Sequence, residues 1–204
     1  MYTPRANRFD DEAEIRSMVA GVGVAQLVTA STDRVPLATL LPIVWDGERV
    51  VAHVARANPH WEQIDDDTPA LLVVTGPDAY ISPSWYAAKA EHGRVVPTWN
   101  YSVVQLRGRA RVVTDEAWLR TEIDRLVSAH ESRREQPWST ADAPQAFVEG
   151  QLRAVVGVEV SVESVEAKRK WSQNRSVADR EGVVAGLAGD GADAMAEQVR
   201  GTLG

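Results

Sequence analysis

The feature that most constrains this chain is a succession of short segments in which apolar and polar residues alternate. The alternation runs through residues 24–30, 35–45, 48–55, 70–75, 79–82, 103–113 and 156–162. Because successive side chains of a strand point to opposite faces, this period of two predicts β-strands. Turn residues separate the segments, for example at 31–34 and at Asp46-Gly47. Helices do not alternate with the strands, which argues against a parallel α/β sheet and favours a small β-barrel.

Helical patterns frame the strands. The first covers residues 10–19, where Asp11 and Glu14 are spaced as a capping box and Gly21 supplies a stop. Further helical stretches are predicted at 61–66, at 117–130 before a loop at 137–139, and after 176 in short pieces broken at Gly186, Gly189 and Gly191. No linker divides the chain. We therefore expect a single domain over residues 1–204 with a helical tail from about 176 to 204, in a mainly β fold with flanking helices.

Composition narrows the classes of function. Acidic residues number 29 and basic residues 22, so the formal net charge is −7 and the summed field repels a nucleic-acid backbone. There is no cysteine, which excludes disulfides, thiolate zinc sites and cysteine nucleophiles. No segment has the pattern of a signal peptide or of a membrane-spanning helix. We expect a soluble protein of the cytoplasm.

One segment has the side chains that a phosphate group requires. The sequence HVARANPHW, residues 53–61, places an imidazole, a guanidinium and an amide at a strand end and in a tight turn. Arg56 can bind phosphate oxygens in a bidentate fork, and Asn58 with the turn N–H groups supplies neutral donors. The alternative is an ordinary strand end with a solvated arginine and an Asn-Pro turn.

Aromatic residues are concentrated in two proline-containing segments. ISPSWY (81–86) and VPTWNY (96–101) each carry a pair of large rings, and both are predicted to be loops. Rings on rigid loops can wall a flat ligand or form a subunit interface. The alternative is that they pack over the ends of the barrel.

The remaining motifs carry little chemistry. The basic run KRKWSQNR (168–175) and the stripe Arg107, Arg109 and Arg111 could contact an anion, or could be solvated surface. The four histidines, His53, His60, His92 and His130, have no metal-binding spacing. No nucleophile elbow, Rossmann fingerprint or helix-turn-helix pattern is present, so any chemistry has to come from a bound cofactor.

The chain resembles the PaiB family, and three strings carry the resemblance. They are HVARANPHW (53–61), YISPSWYAAKAEHGRVVPTWNY (80–101) and KWSQNRSVADREGV (170–183), in the same order and over nearly the whole chain. The resemblance implies a split β-barrel like that of the pyridoxamine-phosphate oxidases, a homodimer with two FMN molecules at the subunit interface, and negative regulation of transcription. It also implies the site residues. Thr39, Leu40, Leu41, His53, Arg56, Ala57 and Asn58 would hold the ribityl phosphate, and Trp85, Trp99, Tyr101, Trp171 and Arg175 would come from the partner subunit.

Two residues depart from the family pattern. Family members often have histidine at the position of Leu40 and leucine at the position of Trp171. Leu40 removes a hydrogen bond near the flavin, and Trp171 adds bulk beside it.

Three functions are consistent with the sequence. The first is an FMN-binding regulator that acts on transcription indirectly, since we expect no direct DNA binding from an acidic chain. The second is a flavin-dependent oxidoreductase or flavin reductase. The third is a heme protein on the same barrel, with His53 or His92 as axial ligand.

Overall fold

The structure is a computed structural model, and it describes residues 1–30 and 35–204. The predicted turn at 31–34 lies outside the described residues. The strands are β1 (Val24–Ala30), β2 (Pro36–Asp46), β3 (Arg49–Ala55), β4 (Thr68–Ile81), β5 (Thr98–Val113) and β6 (Val155–Lys170). The helices are α1 (Glu12–Val22), α2 (Ala88–His92), α3 (Glu116–Glu131), α4 (Gln145–Arg153), α5 (Val177–Gly189) and α6 (Asp193–Arg200). Single 3₁₀ turns lie at Arg5–Asn7, Pro59–Gln63, Pro83–Trp85 and Thr140–Asp142.

The strands close into an antiparallel barrel. Their order is β1-β2-β3-β6-β5-β4, and β4 pairs back with β1 to complete the ring. Leu27 of β1 is opposite Thr39 of β2, and His53 of β3 is opposite Gly157 of β6. Closure removes the unpaired edges that an open sheet would expose. The predicted mainly β barrel with flanking helices is confirmed.

The two faces of β1 and β2 are distinct. Thr29, Leu27 and Leu41 are buried and face the barrel interior. Paired residues share a face, so Thr39, opposite Leu27, also points inward. Leu40 lies on the outer face, where 59% of its surface is exposed. Neighbouring residues of β2 therefore face different environments, one the barrel interior and the next the outer surface.

The chain forms two compact units. The first consists of residues 1–15, 75–104 and 166–204, and the second of residues 16–74 and 105–165. In the first unit α5 and α6 build an apolar cluster with the end of β4, made of Ile81, Tyr86, Val183, Leu187, Met195, Ala196 and Val199. In the second unit a smaller cluster joins α3 and α4 through Leu119, Val148 and Leu152.

Three strands are longer than the sequence predicts, and one of them is β6, which was predicted at 156–162 and covers Val155–Lys170. The segments 70–75 and 79–82 belong to one strand, β4, which runs through the turn signal Gly76-Pro77-Asp78. Strand β5 begins at Thr98, so Trp99 and Tyr101 lie on a strand, and their predicted loop placement was wrong. The ladder hydrogen bonds of neighbouring strands outweigh the local turn preference, which is weak by comparison.

Helix boundaries show where local signals were misread. Asp11 caps α1 as predicted, its side chain accepting from the Glu14 N–H at 2.8 Å, but the helix continues past Gly21 and stops at Gly23, whose φ is +69°. Gly186 does not break the tail, because it lies inside α5. Helix α4 was not predicted at all.

Among the described residues, none of the helices has the length and apolarity needed to cross a bilayer.

The tail consists of two helices that pack against each other and are joined by a short turn. Only three residues, 190–192, separate α5 from α6, and Gly191 among them has φ +74°. The exposed residues of α6 include Asp193 and Glu197, and Arg200 is paired with Glu197. An acidic second helix is unsuited to a phosphate backbone.

Candidate functional site

The outer face of β2 and β3 forms the first part of the candidate site. Exposed Leu40 offers an apolar surface there. His53 shares this outer face because its neighbours Ala52 and Val54 are buried and point inward. Its Nδ1 is buried and makes no hydrogen bond within the described part of the chain, and burial lowers the pKa of the ring. His53 therefore supplies a neutral imidazole with an unused polar atom.

The turn that follows β3 is held by its own side chains. Arg56 donates from Nε to the Arg153 carbonyl at 2.9 Å and from Nη2 to the Val155 carbonyl at 3.1 Å. Asn58 Oδ1 accepts from the His60 N–H at 3.0 Å, and the Trp61 indole donates to the Arg56 carbonyl at 2.9 Å. These bonds fix residues 56–61, with Arg56 and Ala57 exposed at the surface.

His60 is the residue of this region that sequence reasoning did not place in the site. It is 5% exposed, and its ring lies between two threonines: Nε2 is 2.9 Å from Thr29 Oγ1 and Nδ1 is 2.7 Å from Thr39 Oγ1. Burial lowers the pKa of His60. The local sequence gave no sign of this role, because both partners come from distant strands.

The aromatic residues of the first unit have three different environments. Trp85 is half-buried against α5, where Gly182 and Gly186 leave room for it. Trp99 is 49% exposed, donates from its indole to Asp78 at 2.9 Å and meets Tyr80 edge to face at 6.2 Å. The Tyr101 ring lies 5.1 Å from Lys168 Nζ. Of the three predicted site residues Trp85, Trp99 and Tyr101, Trp99 is the most exposed.

The turn after β6 is strained and heavily bonded. Ser172 has φ +61°, a left-handed conformation that costs a non-glycine residue about 1–2 kcal/mol. Its hydroxyl accepts from Asn100 Nδ2 at 3.0 Å, and both residues are buried. The Gln173 side chain bonds to the backbone at both Trp171 and Arg169. Strain held in place by such a network is typical of a functional turn.

The basic run 168–175 is largely engaged within the first unit. Arg169 stacks on Phe9 at 4.8 Å and Trp171 at 5.1 Å and forms an ion pair with Glu14. Arg175 lies 4.5 Å from the centre of the Tyr86 ring. Burial raises the pKa of the Tyr86 hydroxyl, and the Arg175 charge opposes this. The run therefore stabilises the strained turn.

The arginine stripe on β5 is neutralised in the second unit. Arg109 pairs with Glu163 at 3.1 Å, and Arg111 pairs with Glu159 at 2.8 Å. Glu159 also accepts from Arg49 at 2.8 Å. Burial raises the pKa of Glu159, but the hydrogen bonds from Arg49 and Arg111 outweigh burial and lower it below the usual value. The alternation predicted for this strand is confirmed, with Arg107 and Arg111 exposed.

The histidines form no metal site in the part of the chain that the structure describes. His92 is exposed, and its Nδ1 accepts from the Arg94 N–H at 3.0 Å. Burial lowers the pKa values of His53 and His60.

The residues present fit FMN. The phosphate dianion needs cationic and neutral donors, and residues 53–60 provide them without a carboxylate. Arg56 and the turn at 57–58 would hold the phosphate, the unused Nδ1 of His53 is available to a polar group, and exposed Leu40 would support a flat ring. Thr39 points inward, so it can serve a ligand on the outer face only through its backbone.

Known proteins similar to this chain agree with that fit. The family model described as "Putative FMN-binding domain" matches residues 1–164. Protease synthase and sporulation protein PAI 2 of Bacillus subtilis is 30% identical over 188 residues, which cover 90% of this chain and 87% of that protein.

Solved structures share the fold at low sequence identity. The FAD and heme binding protein from Mycobacterium smegmatis has a TM-score of 0.60 at 16% identity, covering 79% of this chain and 72% of that one. The flavocytochrome Anf3 from Azotobacter vinelandii has a TM-score of 0.53 at 17% identity, covering 78% and 67%. The family match, the relative and the donor set lead to one conclusion. The chain belongs to the PaiB-like family of FMN-binding proteins, with a split β-barrel fold and FMN as the cofactor that this membership gives.

Proposed function

We propose that this protein is a cytoplasmic homodimer that binds FMN at its subunit interface and regulates transcription indirectly, through a partner or a redox signal. The observation that carries the dimer is the exposed pair Tyr80 and Trp99, 48% and 49% exposed on neighbouring strands. Large aromatic side chains exposed together are typical of an interface, where they become the main anchors.

Two surfaces would meet in such a dimer. The outer face of β2 and β3 provides the phosphate turn and Leu40, and the partner would provide Trp99 and the turn that carries Trp171. Bound FMN would supply a centre that accepts and returns electrons. The chain's own residues would bind the phosphate, orient the ring and exclude water from it.

Charge supports an indirect effect on transcription. The net charge is −7, and Arg109 and Arg111 of the stripe have carboxylate partners. The tail helix α6 exposes Asp193 and Glu197 where a recognition helix would expose basic residues. We therefore propose that the effect on transcription passes through a partner protein that binds DNA.

The test combines an absorbance spectrum with sedimentation. The protein purified without added cofactor should show flavin bands, and it should sediment at twice its 22.3 kDa mass at micromolar concentration. A Soret band would favour the heme alternative, and bleaching of the flavin by NADPH would favour a flavin reductase. A monomer without flavin would contradict the proposal.

A matched pair of variants locates the interface. Trp99→Ala should weaken dimerisation by about 2 kcal/mol or more, because it removes an anchor. Trp138→Ala is the control, since Trp138 is 46% exposed and has no proposed part in the interface. If both variants dimerise like the wild type, Trp99 is not at the interface.

A further inference from the structure

His60 joins two strands to one turn. Its ring nitrogens lie 2.9 Å from Thr29 Oγ1 on β1 and 2.7 Å from Thr39 Oγ1 on β2. His60 itself belongs to the 3₁₀ turn Pro59–Gln63, directly after the residues expected to hold the phosphate. A neutral imidazole donates through one nitrogen and accepts through the other, and a threonine hydroxyl can do either, so both bonds are satisfied in either tautomer.

The two threonines have different relations to the site. Thr39 directly precedes Leu40, the exposed apolar residue on the outer face of β2. Thr29 is 2% exposed and lies on the neighbouring strand β1, which contains none of the predicted site residues. The bond to Thr39 therefore ties the phosphate turn to the strand that carries Leu40, whereas the bond to Thr29 anchors the ring in the barrel interior.

The rest of the turn is fixed in other directions. Arg56 is held by carbonyls at the α4–β6 junction, and Asn58 caps the turn from within. Within residues 1–30 and 35–204, the hydrogen bond between His60 and Thr39 is the side-chain bond that connects the phosphate turn to β2. Both of its groups are at least partly buried, where an unpaired polar atom is costly, so the bond resists breaking.

We propose that His60 is a positioning residue that sets the separation between the phosphate turn and β2, and so tunes the affinity for FMN. The inference rests on the proposed FMN site. Because His60 is 5% exposed and both of its ring nitrogens are bonded to threonines, it would act on the ligand only through the turn, and its effect should appear in the preference for the phosphate-bearing flavin. A side chain with a purely structural role would lower stability and leave that preference unchanged.

Thr39→Val and Thr29→Val provide the matched test. Each removes one hydroxyl and one bond to the same ring, so both should lower the melting temperature by similar amounts. Thr39→Val should weaken FMN binding about tenfold, because the free energy of one buried hydrogen bond corresponds to about that change in affinity. It should weaken riboflavin binding by less than about twofold. Thr29→Val should bind both flavins within about twofold of the wild type. Binding is followed by quenching of tryptophan emission on titration.

Two substitutions of His60 provide an independent arm. The Asn side-chain amide can occupy the position of Nδ1, and the Gln amide that of Nε2. His60→Asn should therefore keep the Thr39 bond and bind FMN more tightly than His60→Gln, which keeps only the Thr29 bond. The inference is overturned if Thr39→Val and Thr29→Val lose the same FMN affinity and if His60→Asn and His60→Gln bind FMN equally well. That result would leave the FMN site intact. Absence of FMN binding by the wild type would overturn the proposed function as well.

Discussion

The indole Nε1–H of Trp171 donates a 2.7 Å hydrogen bond to the hydroxyl oxygen of Ser102 on β5. Trp171 follows the end of β6 and packs against the apolar cluster of α5 and α6. The adjacent Ser172 is bonded to Asn100, two residues before Ser102. The Trp171 ring is therefore fixed in one orientation.

Trp171→Phe should lower the free energy of unfolding by about 1 kcal/mol, because the ring can remain in the cluster while the bond to Ser102 is lost. Ser102→Ala should cost a similar amount, and the double variant should cost less than the sum of the two. Urea denaturation of the three variants measures this. Strict additivity would mean that the bond contributes nothing.

Gly182→Ala should destabilise the protein by about 1–3 kcal/mol, because a Cβ at this position would lie 2.0 Å from the Trp85 carbonyl oxygen. Gly189→Ala is the matched control in the same helix. A Cβ there meets no atom within 4 Å, so alanine should be neutral or stabilising by up to about 1 kcal/mol. Thermal unfolding of both variants measures the difference, and equal melting temperatures would contradict the close packing of Trp85.

Stability should fall on acidification below about pH 6.5. Burial lowers the pKa values of His53 and His60 in the folded state, so the unfolded chain binds protons first as the pH falls. Each histidine should then cost up to about 1.4 kcal/mol per pH unit until its folded pKa is reached. Denaturation at pH 7.5 and 5.5 measures the slope. His53→Gln and His60→Gln should each reduce it, and a slope unchanged by both would exclude them as the cause.

Arg56→Ala should weaken FMN binding by about 1.5–3 kcal/mol, or 10- to 150-fold, while riboflavin binding barely changes. The reason is the charge-assisted bond that we propose between Arg56 and the phosphate. Because Arg56 also bonds to the carbonyls of Arg153 and Val155, Arg56→Lys serves as a control that keeps the charge. If Arg56→Ala weakens both flavins equally, its role is to hold the turn.

The isolated protein should not bind DNA sequence-specifically at about 150 mM salt, where a phosphate-contacting protein has already lost much of its affinity. A gel shift with competitor DNA measures this. Arg107→Glu provides a control, since a stripe that contacts DNA would lose binding on charge reversal. A competitor-resistant shift that this variant abolishes would contradict the indirect route.

The sequence by itself determined the strands, because a period of two follows from the geometry of an extended chain and needs no partner. It placed β1, β2 and β3 within one or two residues, and the Asp11 cap of α1. It also predicted a phosphate turn at 53–58 from a contiguous run of donors, and that role stays a prediction.

Only the tertiary structure decided what depends on distant partners. The continuity of β4 through Gly76-Pro77 and the start of β5 at Thr98 are set by neighbouring strands, against local turn signals. His60 gained its role from two threonines 31 and 21 residues away. Thr39 faces inward and Leu40 outward because closure of the barrel fixes which face of β2 is buried. Hydrogen bonds and burial between residues far apart in the chain depend on the fold, and local patterns do not contain that information.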